Sequence, residues 1–346
     1  MECRILSRTL GQAVTSCVLL GGAGLASAAI TIETVPVGNA GNAADTRVMN
    51  DGSTRYGSVN YAYNIGKYEV TAGQYTGFLN AVGGVDTYAL YKFEMSTRAS
   101  GSGITRSGGG TLGNPCTYSV MTDFVNRPVK FVTFWDACRF TNWLQNNQKT
   151  GSQDASTTES GAYSLNGVGW PSNGSITRNT GTTWAVTSED EWYKAAYYKG
   201  GGSNAGYWLY PTSSNTAPGR DLADPSGNNA NYYGGIGSYP IDSGKHSTLV
   251  GQFQNSASPY GTFDQGGNVW EWNDTIVYGT DRGMRGGSSR DADSYLQSNY
   301  RNNYDPTYDQ IGFFGFRVSQ VPEPTSVALL GLGVVGVLMR RRGAAK

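Results

Sequence analysis

Apolar residues recur along this chain in short bursts, and three bursts carry the period of an amphipathic helix. Tyr75, Phe78, Leu79 and Val82 stand at i, i+3, i+4 and i+7, the spacing that lines one helical face. Thr71 and Gln74 precede them as a capping box, in which the Thr hydroxyl and the Gln side chain each satisfy an amide of the first turn. A second stripe, Ala137, Phe140, Thr141 and Leu144, follows Thr133 and Asp136, a variant box with Asp in place of Glu or Gln. A third, Trp192, Ala195 and Ala196, follows Ser188 and Glu191. The spacing predicts three short helices, each needing a partner surface to cover its apolar face.

Other apolar and aromatic pieces are too short for helices and are bounded by Gly, Asn or Pro. The stretches 64–70, 128–132, 183–186, 268–272 and 313–318 read as short strands or extended segments. Residues 96–114 and 145–182, rich in Ser, Thr and Gly, read as long surface loops. No fixed-period repeat appears, which argues against propellers and solenoids. There is no GxGxxG after a strand, no P-loop and no zinc-type cysteine pair. The pattern predicts an α+β domain with much irregular structure.

Composition sharpens this. Glycine is 49 of 346 residues, about twice the usual share of about 7%. Charged residues are 15% of the chain, while Tyr numbers 23 and Trp 8, enough apolar surface to bury a core. His246 is the only histidine, so multi-histidine zinc or iron sites are excluded. It lies in DSGKHSTL, a loop-like context, and is assigned no role. The four cysteines are Cys3, Cys17, Cys116 and Cys138.

Both ends read as addresses, not as fold. Residues 1–28 carry Arg4 and Arg8, a small and apolar run, and Ala26-Ser27-Ala28, the layout of a cleavable signal peptide. At the far end the 13-residue apolar run Val327–Met339 is followed by Arg340-Arg341-Arg342. It is shorter than the about 17–25 residues of a stable span, but suits transient membrane insertion with the arginines on the cytoplasmic side. Cys3 and Cys17 leave with the signal peptide, and Cys116 and Cys138 enter an oxidising compartment where a disulfide is one option. Without Arg4, Arg8, Arg340, Arg341, Arg342 and Lys346 the body keeps 20 basic residues, and without Glu2 and Glu323 it keeps 24 acidic ones. Its charge of about −4 argues against nucleic-acid binding. The expected organisation is 1–28 signal peptide, 29–59 N-terminal extension, 60–319 main domain and 320–346 tail.

Two resemblances give these parts a context. Val321-Pro322-Glu323-Pro324, the apolar run and the basic end resemble a PEP-CTERM sorting signal. That implies processing by an exosortase and delivery to the envelope, surface or extracellular matrix of a Gram-negative bacterium. In the body, IGKYEVTAGQYTGFLNAV, RPVKFVTFWDACRFTNWL, WAVTSEDEWYKAAYY, YGTFDQGGNVWEW, RGGSSRDADSYLQSNYRN and IGFFGFRVS follow in order. This succession resembles the formylglycine-generating enzyme family, also called the sulfatase-modifying factor family, across residues 60–319. The resemblance implies the formylglycine-generating-enzyme fold: a C-type-lectin-like core with few short helices, short antiparallel strands and much loop.

Catalytic members oxidise a sulfatase cysteine through two cysteines that bind copper(I), a soft ion suited to thiolates. Carried over, those positions fall three and eight residues beyond Ser288, on Asp291 and Leu296, so copper is not expected here. Sulfoxide-synthase members add several iron-ligating histidines, which this chain lacks. The family's calcium pattern does carry over, onto Asp264, the carbonyls of Gly267 and Val269, and Glu271, a hard-oxygen set that suits calcium. The alternative for Glu271 is a buried carboxylate satisfied by main-chain donors. A second family calcium set maps to Asn231 and the carbonyls of Tyr232 and Phe253, with Gly251 where the family has an acid.

Trp135, Trp270 and Trp272 read first as core packing, and Arg285, Arg301 and Arg317 first as structural. Ser288, Arg290, Asp291, Asp293, Tyr295, Tyr300 and Arg301 stand where the copper site would be and form a candidate polar cleft. The expected function is a non-catalytic surface or matrix module that binds a glycan, matrix polymer or surface protein. The alternative is a protein-modifying enzyme of the same family.

Overall fold

A computed structural model describes residues 29–169, 174–201, 206–236, 241–242, 244–308 and 312–321. The expected signal peptide and the run Val327–Met339 lie outside the described residues. Among the described residues no helix is long and apolar enough to cross a membrane.

The three stripes form three helices, α1 (Ala72–Val82), α2 (Phe134–Gln145) and α3 (Glu189–Tyr197), and each capping box makes both reciprocal bonds. In α2 the shorter Asp136 suffices: its carboxylate accepts from the Thr133 amide at 2.9 Å, and its own amide donates to the Thr133 hydroxyl at 3.0 Å. The faces of α1 and α2 meet through rings. Phe78 lies 5.4 Å from Phe140 and 5.3 Å from Trp143, and Phe316 approaches Phe140 at 5.3 Å from beyond.

Among the described residues ten short strands complete the order: β1 (Thr34–Val37), β2 (Tyr63–Gly66), β3 (Ile104–Ser107), β4 (Thr117–Val120), β5 (Trp184–Val186), β6 (Trp270–Val277), β7 (Asp281–Arg285), β8 (Asn302–Tyr304), β9 (Phe314–Phe316) and β10 (Val318–Gln320). One sheet runs β1-β2-β10-β5, a second β8-β7-β6-β9, and β3 and β4 form a separate hairpin. All pairs are antiparallel except β6 with β9. The architecture is α+β. Residues 29–59, set apart on the sequence, supply β1, which pairs with β2 from Thr34↔Gly66 to Val37↔Tyr63.

Several sequence expectations are corrected. Residues 128–132 form no strand; Pro128 makes one isolated bridge to Thr71, and Phe131 takes a φ of 62° that no strand can continue through. Residues 313–318 are two strands, not one, because the chain passes at Arg317 from the second sheet to the first. The stretch 96–114 contains β3. The stretch 145–182, where described, is irregular but is not at the surface throughout: Asp154, Ser156 and Ser160 are exposed, whereas Thr158, Ala162, Tyr163 and Leu165 are buried. Asn142 of α2 holds it in place: its side-chain amide donates to Thr158 O at 2.7 Å and Tyr163 O at 2.9 Å and accepts from the Tyr163 amide at 2.8 Å. A buried loop must have its backbone groups met, and one interior Asn meets three of them.

Candidate functional site

Buried arginines fasten the loops that carry the site. Arg317, at the passage between sheets, donates to both oxygens of Glu271 at 2.5 and 2.6 Å, and to the carbonyls of Gly66 and Phe263 at 2.9 and 3.0 Å. Arg285 donates to Glu189 at 2.8 Å and to the carbonyls of Ser298 and Tyr300. Arg301 also grips Glu189, at 2.6 and 3.0 Å, and reaches Asp51 at 2.8 Å. The structural reading of these arginines holds, and Arg301 is removed from the candidate cleft because its guanidinium is wholly engaged on the Glu189 side.

The calcium sets can be tested against this geometry. Glu271 is completely buried and already meets Arg317 twice and the Trp192 indole N–H at 2.7 Å. The alternative of main-chain donors is not what is observed either: all three donors are side chains. Asp264 accepts from the Gly251 amide at 2.5 Å, and burial pushes its carboxyl up to about 6. Gly267 lies against Asn231, so close that a Cβ would stand 2.2 Å from the Asn231 carbonyl. Val269 is buried beside it.

In the second set, Asn231 donates to His246 O and to the Asn268 side chain, and Phe253 O accepts from the Ser256 amide. Tyr232 donates its hydroxyl to Pro218 O. At Gly251 a side chain would strike the Tyr68 ring at 2.4 Å, which leaves no room for an acid. Among the described residues no three His, Cys, Asp or Glu side chains converge as metal ligands. Glu271 of the first set is thus already paired with Arg317, whereas in the second set the buried Asn231 Oδ1 meets no donor. Glu69 is the one acid nearby whose buried oxygens meet no donor; burial, then Asp264 and Glu271, push its carboxyl well above the usual range.

Of the two positions onto which the resemblance carried the copper pair, Leu296 is fully buried against Tyr210 and Ala230, and Asp291 is held by Ser288. The Ser288 amide and hydroxyl donate to one Asp291 oxygen at 3.0 and 2.5 Å, and the Arg290 amide donates to the Ser288 hydroxyl at 3.2 Å. Burial raises the Asp291 carboxyl above its ordinary value. Cys116 and Cys138 are both buried and unpaired, and burial pushes the Cys138 thiol far up. No thiolate pair assembles from them.

A tight turn sets the aromatic part. Gly287 has a φ of 68°, and a Cβ there would come within 3.0 Å of Leu296 and 3.1 Å of Tyr295. Glycine therefore lets the 3-10 turn Asp293–Leu296 fold back over the RGGS segment. Tyr295 and Tyr300, both half-buried, lie 4.4 Å apart and pack against Trp270 at 6.0 and 6.1 Å. Burial pushes the Tyr300 phenol up to about 12. Beside them the exposed Arg290 guanidinium rests 4.8 Å from the Phe313 ring and 3.3 Å from His246 Nδ1.

The structure thus brings together Ser288, Arg290, Asp291, Tyr295 and Tyr300, while Asp293 accepts instead from the Tyr210 hydroxyl at 3.2 Å. It adds three residues that sequence reasoning missed or read as packing. Trp270 is buried but presents its ring to both tyrosines. Phe313 enters through Arg290, whose guanidinium lies 4.8 Å from its ring, and its carbonyl accepts from the Trp270 amide at 2.7 Å. His246 arrives from a loop 44 residues before Arg290, and no local pattern points to it.

A family model described as a sulfatase-modifying factor enzyme 1-like domain matches residues 30–321. A second, described as a PEP-CTERM protein-sorting motif, matches residues 320–342. The sorting motif implies recognition by exosortase machinery and export to the cell envelope or surface of a Gram-negative bacterium. Similar solved structures include CarF (19% identity, TM-score 0.49, 85% of this chain and 99% of that one). Treponema denticola variable protein 1 aligns at 17% identity and TM-score 0.49, over 86% of this chain and 97% of its own. PvdO from Pseudomonas aeruginosa aligns at 19% identity and TM-score 0.48, over 84% and 95%. No curated protein sequence matches.

Proposed function

This chain belongs to the sulfatase-modifying factor family, and from that premise we propose that its domain is a non-catalytic module that binds a surface or matrix glycan outside the cytoplasm. The observation that carries this reading is the Tyr295–Tyr300–Trp270 cluster beside the Ser288–Asp291 turn. Half-buried rings in fixed positions offer apolar faces to a sugar at little entropic cost. Polar groups at their edge can orient its hydroxyls. The copper oxidase chemistry of the catalytic branch finds no support, because a carboxylate and a buried aliphatic side chain replace two soft thiolates.

The test is a glycan array probed with the purified protein and with Tyr300→Ala. Saturable binding of a polysaccharide that Tyr300→Ala abolishes, at unchanged melting temperature, is the expected result. Copper-dependent oxidation of a sulfatase-type cysteine peptide by the same preparation would overturn the reading in favour of the enzyme.

A further inference from the structure

The aromatic face adjoins an uneven distribution of charge, although the body as a whole is slightly acidic. Arg290 is exposed and has no carboxylate partner among the described residues; its contacts are the Phe313 ring and His246. Lys130 lies behind it, buried, with its ammonium donating to Lys245 O at 3.1 Å and to no acid. Around them Asp242 pairs with Arg127 at 2.7 Å and Lys245 at 3.3 Å, and Asp123 pairs with Arg98 and Lys245 at 2.7 and 3.5 Å. Among the described residues of this region, three acids, Asp123, Asp242 and Asp291, face the four cations Arg98, Arg127, Lys245 and Arg290 and the buried Lys130, whose ammonium burial lowers to about 7. Asp291, the acid nearest the rings, is already occupied by Ser288.

The surplus is felt locally. Burial first, then Arg290 and Lys130, lower the His246 imidazole from its ordinary value. A guanidinium stacked on a ring keeps its planar hydrogen-bonding edge free and pre-oriented, the form that grips a carboxylate, sulfate or phosphate ester with two parallel bonds. Further along the same segment Tyr295 and Tyr300 pack on Trp270, rings suited to the apolar face of a pyranose.

We propose that this face takes an anionic polysaccharide, whose acidic group docks on Arg290 while an adjoining sugar ring rests on Tyr295 and Tyr300. The inference rests on the reading of the face as a glycan site and names the class of glycan. Attraction to the cation-rich region strengthens as ionic strength falls, whereas ring stacking does not depend on salt in the same way.

The experiment uses the purified protein and three soluble polymers: polygalacturonate, its neutral methyl ester, and polyacrylate, which carries charge without sugar rings. Titration calorimetry at low and physiological salt is expected to rank polygalacturonate above both others. Arg290→Gln should weaken polygalacturonate at least tenfold and leave the methyl ester unaffected, and Tyr300→Ala should weaken both sugar polymers. Equal affinity for acidic and neutral sugar polymers, with no effect of Arg290→Gln, would overturn the inference and leave glycan binding standing. Polyacrylate binding as tightly as polygalacturonate, indifferent to Tyr300→Ala, would overturn it as simple charge attraction. Binding of no saccharide by a protein with a normal melting transition would overturn the glycan reading itself.

Discussion

Removal of Arg317 tests the central claim that Glu271 is held by an ion pair. Both residues are fully buried, and the Glu271 carboxylate receives two bonds from Arg317 and one from Trp192. Arg317→Met leaves that carboxylate with a single neutral donor and takes a donor from the Gly66 and Phe263 carbonyls. Breaking a buried pair from one side costs about 3–5 kcal/mol, because the remaining charge stays desolvated. At roughly 2–4 °C per kcal/mol for a large single domain, the melting temperature should fall by about 10 °C. Urea unfolding followed by tryptophan fluorescence measures the loss, and Trp192, bonded to Glu271, lies at the perturbed point. The double variant Arg317→Met/Glu271→Gln should recover much of it, giving a coupling energy of about 2 kcal/mol or more. A loss below about 1 kcal/mol, or additive single effects, would refute the reasoning. Since Glu271 is already neutralised, millimolar calcium should leave the melting temperature unchanged; a rise that Glu271→Gln removes would place an ion where the arginine now sits.

Two further outcomes follow from buried polar groups. Asn142→Ala deletes three hydrogen bonds to the 158–163 segment, worth roughly 3 kcal/mol together, so proteases should cut within 145–182 much faster; an unchanged digest would show that the loop does not depend on this anchor. Burial, with Arg127 and Arg290 adding to it, lowers Lys130 to about 7, whereas an unfolded lysine titrates near about 10.4. Between those values the unfolded chain binds the extra proton, so stability should climb as pH rises from about 7 toward 10. Lys130→Met should be more stable at neutral pH and flatten that climb, as read from urea midpoints at pH 7 and 9.5; a parallel profile would assign the slope elsewhere.

Local signals identified what depends on local physics. The three helices were legible because capping boxes and a 3.6-residue stripe involve neighbours within one or two turns. The sorting tail was legible as a contiguous string, and family membership as an ordered series of short motifs. Strands were read less well, because three or four residues carry little periodicity and pairing is settled at a distance. Residues 313–318 look like one apolar strand, yet Arg317 is drawn to Glu271 and divides them between two sheets. A Ser- and Thr-rich stretch looked solvated, yet Asn142 brings its backbone inside.

The candidate site divides in the same way. Ser288, Arg290, Asp291, Tyr295 and Tyr300 lie within one short segment, and the sequence by itself placed them together. It also determined the helices and the domain family, since each is written in residues close along the chain. Only the tertiary structure decided that Arg301 turns away to Glu189, that Glu271 is spent on Arg317, and that His246 and Phe313 join the face through Arg290. Buried charges and rings choose partners by proximity in space, where the energy of leaving one unmet is largest, and no local pattern encodes that choice.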